Sequence, residues 1–174
     1  MACDPYCTHF PVLSACAARL DGPFLEQGLG WYSTPLLHAI CAARGGVKLL
    51  TIEGLEKWRK RWTAYERPWH HIALASMPAD CAPFAVVDHW GLALVDGATE
   101  ERAPWIRALK NRCGVIVIHD TQAPGAYGYD PLLSQFAYRV EYRGELLKFG
   151  PNHTVPWTTA VSDTDNLEWL KAAL

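Results

Sequence analysis

The chain has 174 residues, 50% of them apolar and 20% charged, and its formal net charge is −2. This length and composition predict a single globular domain over 1–174 with a sizeable core. The charge argues against a broad electrostatic surface for nucleic acid. No apolar run reaches the roughly 18 residues of a membrane span, and the N-terminus lacks a basic and then apolar signal. A soluble, cytoplasmic protein is expected.

Six cysteines are scattered without a CxxC pair, which is typical of reduced, buried thiols. Cys3, Cys7 and His9 have side chains that could bind a metal together. A frayed terminus is the favoured interpretation, because no fourth ligand is evident. The sequon at 152–154 is expected to be idle without a secretion signal.

The first 22 residues predict an N-terminal helical segment that precedes the core at 23–174. Pro11 lies near the start of a helix over 9–20 whose apolar residues recur on one stripe. After this helix, the apolar pair Phe24 and Leu25 predicts a short buried strand.

A glycine turn follows that strand and precedes a helix over 35–44. Gly28 and Gly30 allow the backbone to turn tightly and to approach a ligand without a Cβ in the way. Thr34 is expected to cap the helix through its hydroxyl, and Pro35 suits the first helical position.

Polar residues surround this turn in positions that suit a cofactor. Ser33 and Thr34 lie at the helix start, whose free N–H groups favour an anionic or polar ligand. Glu26 would repel a pyrophosphate, but it could pair with a cationic ligand or accept from a hydroxyl. Glu53 ends an apolar strand over 47–53, where an acid binds ribose hydroxyls in nucleoside-binding α/β folds. A solvated acid that leads into the next helix is the alternative.

The middle of the chain is less regular. Aromatic and apolar residues recur at helical spacing over 55–65, and the basic residues there are interpreted as a solvated helix face. A third strand is predicted over 70–75. Pro78 and Pro83 predict an irregular segment over 77–88.

Two strands then end in polar residues. The apolar run 90–97 ends in Asp96 and a glycine, and the β-branched run 115–120 ends in His119 and Asp120. The remaining segments predict, in order, a helix with Pro104 in its first turn, a loop over 121–129, a short helix capped by Asp130, antiparallel strands over 137–142 and 157–162, and a closing helix over 166–174.

Alternating helices and buried strands predict a parallel sheet covered on both faces. In such sheets ligands bind outside the carboxyl ends of the strands, near the topological switch point. The polar residues singled out all fall at that edge: Glu26, Glu53, Asp96, His119 and Asp120. This clustering is the strongest indication of a site.

The Glu-x-Gly-x-Gly sequence at 26–30, with Glu53 and the later Asp-Gly and His-Asp pairs, resembles the class I S-adenosylmethionine-dependent methyltransferases over about residues 9–165. The resemblance implies an α/β, Rossmann-like, doubly wound, mostly parallel seven-stranded sheet with an antiparallel closing strand and helices on both faces. It also implies an enzyme that binds S-adenosylmethionine, with the glycine turn under its amino-acid part and Glu53 on its ribose.

The resemblance suggests two catalytic roles at the later strand ends. His119 could be the base, because its ordinary pKa lies near neutrality, with Asp96 and Asp120 orienting it. Alternatively, these three residues could hold a divalent metal such as Mg²⁺, which lowers the pKa of a substrate hydroxyl, as in catechol-type O-methyltransferases. A His-Asp pair that only satisfies a loop backbone is the third interpretation.

Two departures from the family pattern leave other functions open. Only Ser76 is available after the third strand for adenine recognition, and no cap domain is inserted. A non-catalytic module that binds a nucleoside or a protein is therefore the main alternative. A nicotinamide-binding domain is disfavoured, since Ser33 replaces the third glycine of that fingerprint.

The sequence gives some indications of the binding partners. The tyrosine-rich loop and the small size of the chain favour a small-molecule acceptor, with oxygen as one candidate for the methylated atom. No basic groove with interleaved aromatic residues suggests nucleic acid. An edge strand and eight tryptophans would permit a homodimer.

Overall fold

The computed structural model describes residues 5–123, 125–129, 131–144 and 155–174. The sequon at 152–154, the contribution of Cys3 to a metal site and the Asp130 cap lie outside these residues. The strands are β1 (Phe24–Gln27), β2 (Leu49–Glu53), β3 (His70–Leu74), β4 (Trp90–Val95), β5 (Cys113–His119), β6 (Tyr138–Tyr142) and β7 (Thr158–Ser162). The helices are α1 (Phe10–Arg19), α2 (Ser33–Ala43), α3 (Glu56–Arg59), α4 (Ala82–Ala85), α5 (Thr99–Leu109) and α6 (Glu168–Ala173).

The strands form one seven-stranded sheet in the order β3-β2-β1-β4-β5-β7-β6. Six strands are parallel, and β7 runs antiparallel to both of its neighbours. The strand order reverses between β1 and β4, which are directly paired, so the topological switch point lies between their carboxyl ends. The predicted mixed sheet with a closing antiparallel strand is confirmed.

The central strand β5 shows why the sheet is covered on both faces. Its side chains alternate, so that Val115 and Val117 belong to one hydrophobic core while Ile116 and Ile118 belong to the other. All four are at most 1% exposed. A strand buried on both faces reads as a continuous apolar run, which is why the sequence predicts it so clearly.

Helices pack on each face, as predicted. Leu13 of α1, Leu37 of α2 and Leu170 of α6 belong to the core on one face. Phe84 of α4 and Trp105 of α5 belong to the core on the other face. None of the helices in the described ranges has the length and the apolar character needed to cross a membrane.

The predicted helix over 55–65 is wrong. The chain forms only the single turn of α3 and then a 3₁₀ turn at Thr63–Tyr65. Trp62 is buried against Leu29 and Ile72, and Tyr65 packs on the same small cluster. Tertiary packing of these rings therefore overrides the helical spacing.

Two prolines also lie differently from the prediction. Pro104 lies inside α5 rather than in its first turn, because the helix already begins at Thr99. The segment predicted as irregular contains a 3₁₀ turn at Pro78–Asp80 and the short helix α4. Pro78 and Pro83 each occupy the start of a helical turn, where a missing N–H costs nothing.

Candidate active site at the carboxyl edge of the sheet

The turn after β1 needs glycine because two backbone segments meet there. Gly28 has a φ of +95°, and a Cβ at this position would lie 2.5 Å from the Gly97 nitrogen and 2.6 Å from the Asp96 carbonyl carbon. The side-chain amide of Gln27 accepts from the Gly97 N–H at 3.0 Å, which holds the end of β1 against the residues that follow β4. Gly28 therefore sets the close approach of the two strand ends at the switch point.

Replacing Gly28 with alanine is expected to lower the free energy of unfolding by about 2–5 kcal/mol, since left-handed backbone strain adds to a backbone collision. Gly45→Ala is the matched control, because Gly45 also has a positive φ, +79°, but no atom within 4 Å of its Cβ position. Gly45→Ala should lower the free energy of unfolding by only about 1–2 kcal/mol, the cost of the backbone strain alone. Urea denaturation compares the two variants, and equal losses would show that no collision exists.

Glu26 lies fully buried beneath this turn. Its carboxylate accepts from the Thr34 hydroxyl at 2.9 and 3.0 Å and from the Thr51 hydroxyl at 2.9 Å. Thr34 is thus not the helix cap that the sequence predicts, because α2 already begins at Ser33, and the Thr34 hydroxyl accepts from the Gly30 N–H at 3.1 Å instead. The residue before α2 is Tyr32, which makes no side-chain cap, and Pro35 is the third helical residue rather than the first.

A chain of polar contacts continues from Glu26 to the edge of β3. The Thr51 hydroxyl donates to Glu26, so it accepts from Nε2 of His70 at 2.9 Å. Nδ1 of His70 then accepts from Nδ1 of His38 at 2.8 Å. Burial lowers the pKa of His70 to about 4, so this imidazole is neutral and can play both roles.

Burial raises the pKa of Glu26 from 4.5 to about 7, despite its hydrogen bonds to hydroxyl groups. A carboxyl whose pKa is raised on folding stabilises the protein most below pH 4.5, and that contribution disappears as the pH rises to about 7. We expect the stability difference between wild type and Glu26→Gln to shift by roughly 3 kcal/mol over this interval, in favour of the variant at high pH. Urea denaturation at several pH values measures it, and a pH-independent difference would contradict the buried-carboxyl account.

Glu53 lies beside the glycine turn, as predicted for the ribose acid. Its carboxylate accepts from the Leu29 N–H at 3.3 Å and from the Leu55 N–H at 2.8 Å. The Trp58 indole donates to the Leu29 carbonyl at 3.0 Å. Glu53 thus joins the glycine loop to the segment after β2, and lone pairs remain on both oxygens for further donors.

The ends of β4 and β5 bring the three predicted catalytic residues together. Nδ1 of His119 lies 3.0 Å from Oδ1 of Asp96 and 3.8 Å from Oδ2 of Asp120. Nε2 of His119 lies 2.8 Å from the hydroxyl of Thr8. Asp120 has a φ of +60°, which its short polar side chain tolerates.

Arg102 of α5 completes this cluster, and the sequence analysis missed it. Its guanidinium bonds Asp96 at 3.1 Å and Asp120 at 3.0 Å, and the side chain is only 8% exposed. It also donates to the carbonyls of Gly97 and His119. The first turn of a helix that follows a strand end lies at the carboxyl edge, which is the one signal that could have indicated it.

The charges in this cluster shift one another. Burial alone would lower the pKa of His119, but Asp96 and Asp120 outweigh it and raise that pKa above 6.5. Burial would raise the pKa of Asp96, but His119, His9 and Arg102 together hold it below its ordinary value. Arg102, despite its burial, is kept protonated by Asp96.

The predicted metal trio does not fit a divalent cation. Arg102 already neutralises Asp96 and Asp120, and both ring nitrogens of His119 have partners. A metal ion among Asp96, His119 and Asp120 would have to displace a buried guanidinium. We therefore derive no chemistry through a metal at these three residues.

His9 also reaches this edge. The sequence suggests a possible metal ligand beside Cys3 and Cys7, and the first residue of a helix, but not a contact with His119. His9 directly precedes α1, which returns from the carboxyl edge of the sheet toward the start of β1. Its ring lies edge-on to that of His119, with 4.9 Å between the centroids. Burial lowers the pKa of His9 to about 4, so the ring is neutral.

A cavity of about 370 Å³ lies above these residues. Its aromatic walls are formed by Tyr6, Trp31, Tyr32 and Trp58. Its polar lining consists of His9, Asp96, Arg102, His119 and Asp120, and Gly30 lies at its edge. Four of the predicted cofactor-binding residues do not line this cavity and lie below or beside the glycine turn instead: Glu26, Ser33, Thr34 and Glu53.

Comparisons with protein-family models and with curated protein sequences gave no match. Solved structures do match. Cofactor-bound Rv0187 from MTB aligns with a TM-score of 0.65 and 16% identity, over 95% of this chain and 83% of that chain. The O-methyltransferase TomG from Streptomyces achromogenes, in complex with SAM, aligns with a TM-score of 0.64 and 15% identity, over 94% and 82%.

An rRNA methylase from Streptococcus thermophilus also aligns, with a TM-score of 0.59 and 14% identity over 95% of this chain and 99% of that chain. Because such neighbours include an enzyme named for RNA, the prediction of a small-molecule acceptor remains a prediction. The resemblance stated from the sequence is confirmed at the level of the fold. This chain has the Rossmann-like fold of the S-adenosylmethionine-dependent methyltransferases.

Proposed function

We propose that this protein transfers a methyl group from S-adenosylmethionine to a hydroxyl group of a small molecule, with His119 as the base. The observation that carries the proposal is the Asp96–His119 pair, 3.0 Å apart, at the ends of β4 and β5 and in the lining of the cavity. Pairing of a carboxylate with one ring nitrogen fixes the tautomer of a histidine base and orients the other nitrogen.

The residues around the cavity suit the cofactor. A sulfonium cation is attracted to aromatic faces, and Trp31, Tyr32 and Trp58 supply them. While His119 is neutral, the carboxylates of Asp96 and Asp120 outnumber the guanidinium of Arg102, and the lining then favours a positive ligand. Gly30 leaves the edge of the cavity free of a side chain, and Glu53 lies beside the same loop.

The chain's own residues then supply orientation and proton transfer. When bound, S-adenosylmethionine supplies a methyl group whose bond to sulfur breaks as the bond to the acceptor oxygen forms, with the electron pair staying on sulfur. His119 donates from Nδ1 to Asp96, which leaves the lone pair on Nε2. In the structure this nitrogen contacts the Thr8 hydroxyl at 2.8 Å, so it is already placed to accept from a hydroxyl. An acceptor hydroxyl that replaced the Thr8 hydroxyl there would give its proton to His119.

Product analysis tests the proposal. The protein is incubated with S-adenosylmethionine and either a panel of small phenols and alcohols or total RNA, and S-adenosylhomocysteine and the methylated product are identified by mass spectrometry. Transfer to small hydroxyl compounds is expected. Transfer to RNA alone would overturn the acceptor class, and turnover with neither would favour the non-catalytic binding module.

A further inference from the structure

The imidazole of His9 has no hydrogen-bond partner among the described residues. Both of its ring nitrogens are buried and unpaired, and the residue is 2% exposed. The nearest acidic oxygen, Oδ2 of Asp96, lies 3.9 Å from Nδ1, beyond hydrogen-bond distance. The neighbouring His119 differs from His9 in this respect, because both of its ring nitrogens have hydrogen-bond partners.

An unpaired buried polar group lowers stability and calls for an explanation. Among the described residues with such unpaired atoms, His9 alone lines the cavity. The ring of His9 therefore borders a cavity in which a ligand group could lie. A neutral imidazole offers one donor and one acceptor, and a hydroxyl group can complement either.

His9 lies next to His119, so a ligand bound to the unpaired nitrogens of His9 would also lie beside the proposed base. A ring nitrogen of His9 and a ring nitrogen of His119 lie within 4.8 Å of each other. Because this separation is less than twice a hydrogen-bond length of about 2.8 Å, one oxygen atom can contact both rings. Such an oxygen would take the place of the Thr8 hydroxyl, which now contacts Nε2 of His119 at 2.8 Å, donate to that nitrogen and accept from the N–H of His9.

The rest of the lining restricts what carries that oxygen. Arg102, the only arginine or lysine in the described lining, is bonded to both carboxylates, so its charge is not free for an anionic acceptor. Trp31 is 65% exposed and packs edge-on to Trp58 with 5.7 Å between the centroids. Flat apolar walls of this kind favour a planar aromatic body.

We propose that His9 selects the methyl acceptor by hydrogen-bonding the hydroxyl group of a neutral aromatic compound, a phenol, held in the cavity beside His119. The assignment of the phenol as the methyl acceptor rests on the proposed function above. The binding contact itself does not depend on methyl transfer, so the two can fail separately.

The test uses 4-nitrophenol as the probe, because its absorption spectrum reports the environment and ionisation of its hydroxyl group. The matched ligand is 4-nitroanisole, in which that hydroxyl carries a methyl group and cannot donate. The protein variant is His9→Phe, which keeps a planar ring and removes both nitrogens. The control variant is His71→Phe, since His71 is an exposed residue of β3 outside the cavity lining.

Wild type is expected to bind 4-nitrophenol at least tenfold more tightly than His9→Phe, and His71→Phe should bind like wild type. Affinity for 4-nitroanisole and for S-adenosylmethionine should be the same in all three proteins. Because His9 is unpaired, His9→Phe should have a melting temperature no lower than that of wild type. If the larger ring does not fit, His9→Asn, which keeps a donor and an acceptor, should retain more of the 4-nitrophenol affinity than His9→Ala.

Several results would overturn the proposal. These are equal affinity of wild type and His9→Phe for 4-nitrophenol, a parallel loss of 4-nitroanisole affinity, or no saturable binding of 4-nitrophenol to wild type. Stoichiometric binding of ZnCl₂ that requires His9 would also overturn it, because the unpaired nitrogens would then belong to a metal site. Failure of S-adenosylmethionine to bind would instead refute the proposed function and leave the His9 contact to be judged on the 4-nitrophenol data.

Discussion

Replacing His119 with glutamine is expected to lower kcat by about 10²–10⁴-fold, the usual contribution of a positioned base. Glutamine cannot take the acceptor proton, yet its amide can still bond Asp96 or Thr8, so the fold should survive. Affinity for S-adenosylmethionine should change little, because the turn that carries Gly28 and Gly30 is on another strand end. Steady-state kinetics with the acceptor found by product analysis, alongside calorimetry of cofactor binding, separates the two effects.

The pH profile adds a check that a structural role for His119 would not move. Since Asp96 and Asp120 raise the pKa of His119 above 6.5, its unprotonated form is lost as the pH falls through that raised value. The rate should therefore fall on the acid side with a midpoint above 6.5. In Asp96→Asn the main raising cause is gone, so the midpoint should move to lower pH. A midpoint unaffected by Asp96→Asn would argue that another group is the base.

Loss of the Arg102 charge is expected to be the most destabilising change in the site. Arg102→Met should lower the free energy of unfolding by about 2–4 kcal/mol, because the half-buried carboxylates of Asp96 and Asp120 would lose the buried guanidinium that pairs with both. Arg107→Met, an exposed position on the same helix, should stay within about 0.5 kcal/mol of wild type. Urea denaturation at neutral pH measures both.

A second substitution distinguishes charge from packing in that result. Asp120→Asn removes one of the two carboxylates, so it should recover part of the stability lost in Arg102→Met. In the wild-type background the same change removes a partner from Arg102 and should be destabilising. Strictly additive losses in the double variant would mean that Arg102 acts through its packing alone.

Much of the fold could be predicted because it depends on local patterns. The β-branched residues of β5 are buried on both faces, and the polar pair His119 and Asp120 marks where that strand ends. The same reasoning placed Asp96 after β4 and Glu53 at the end of β2, and all four lie at one edge of the sheet. The end of a strand can be predicted from the sequence because the run of buried apolar residues gives way to polar residues there.

The errors and omissions involve contacts between residues distant in sequence. Thr34 has the residue type of a helix cap, but it lies inside α2, and its hydroxyl donates to a buried carboxylate eight residues earlier. His9 contacts His119 across 110 residues, and only the path of α1 over the sheet brings them together. Arg102 follows two glutamates in an ordinary helix start. That position places it at the carboxyl edge, but its sequence neighbours do not indicate an ion pair with Asp120. These partners are set by tertiary packing, which a local pattern does not encode.

Cofactor binding tests the central claim most directly. Isothermal calorimetry with S-adenosylmethionine and S-adenosylhomocysteine should show saturable, stoichiometric binding to wild type. Affinity should fall at least tenfold in Glu53→Ala, because Glu53 lies against the glycine loop. It should stay unchanged in Glu66→Ala, since Glu66 is an exposed acid whose side chain does not bond that loop in the described part of the chain. Absence of binding by either nucleoside, in wild-type protein shown to be folded, would contradict the methyltransferase account.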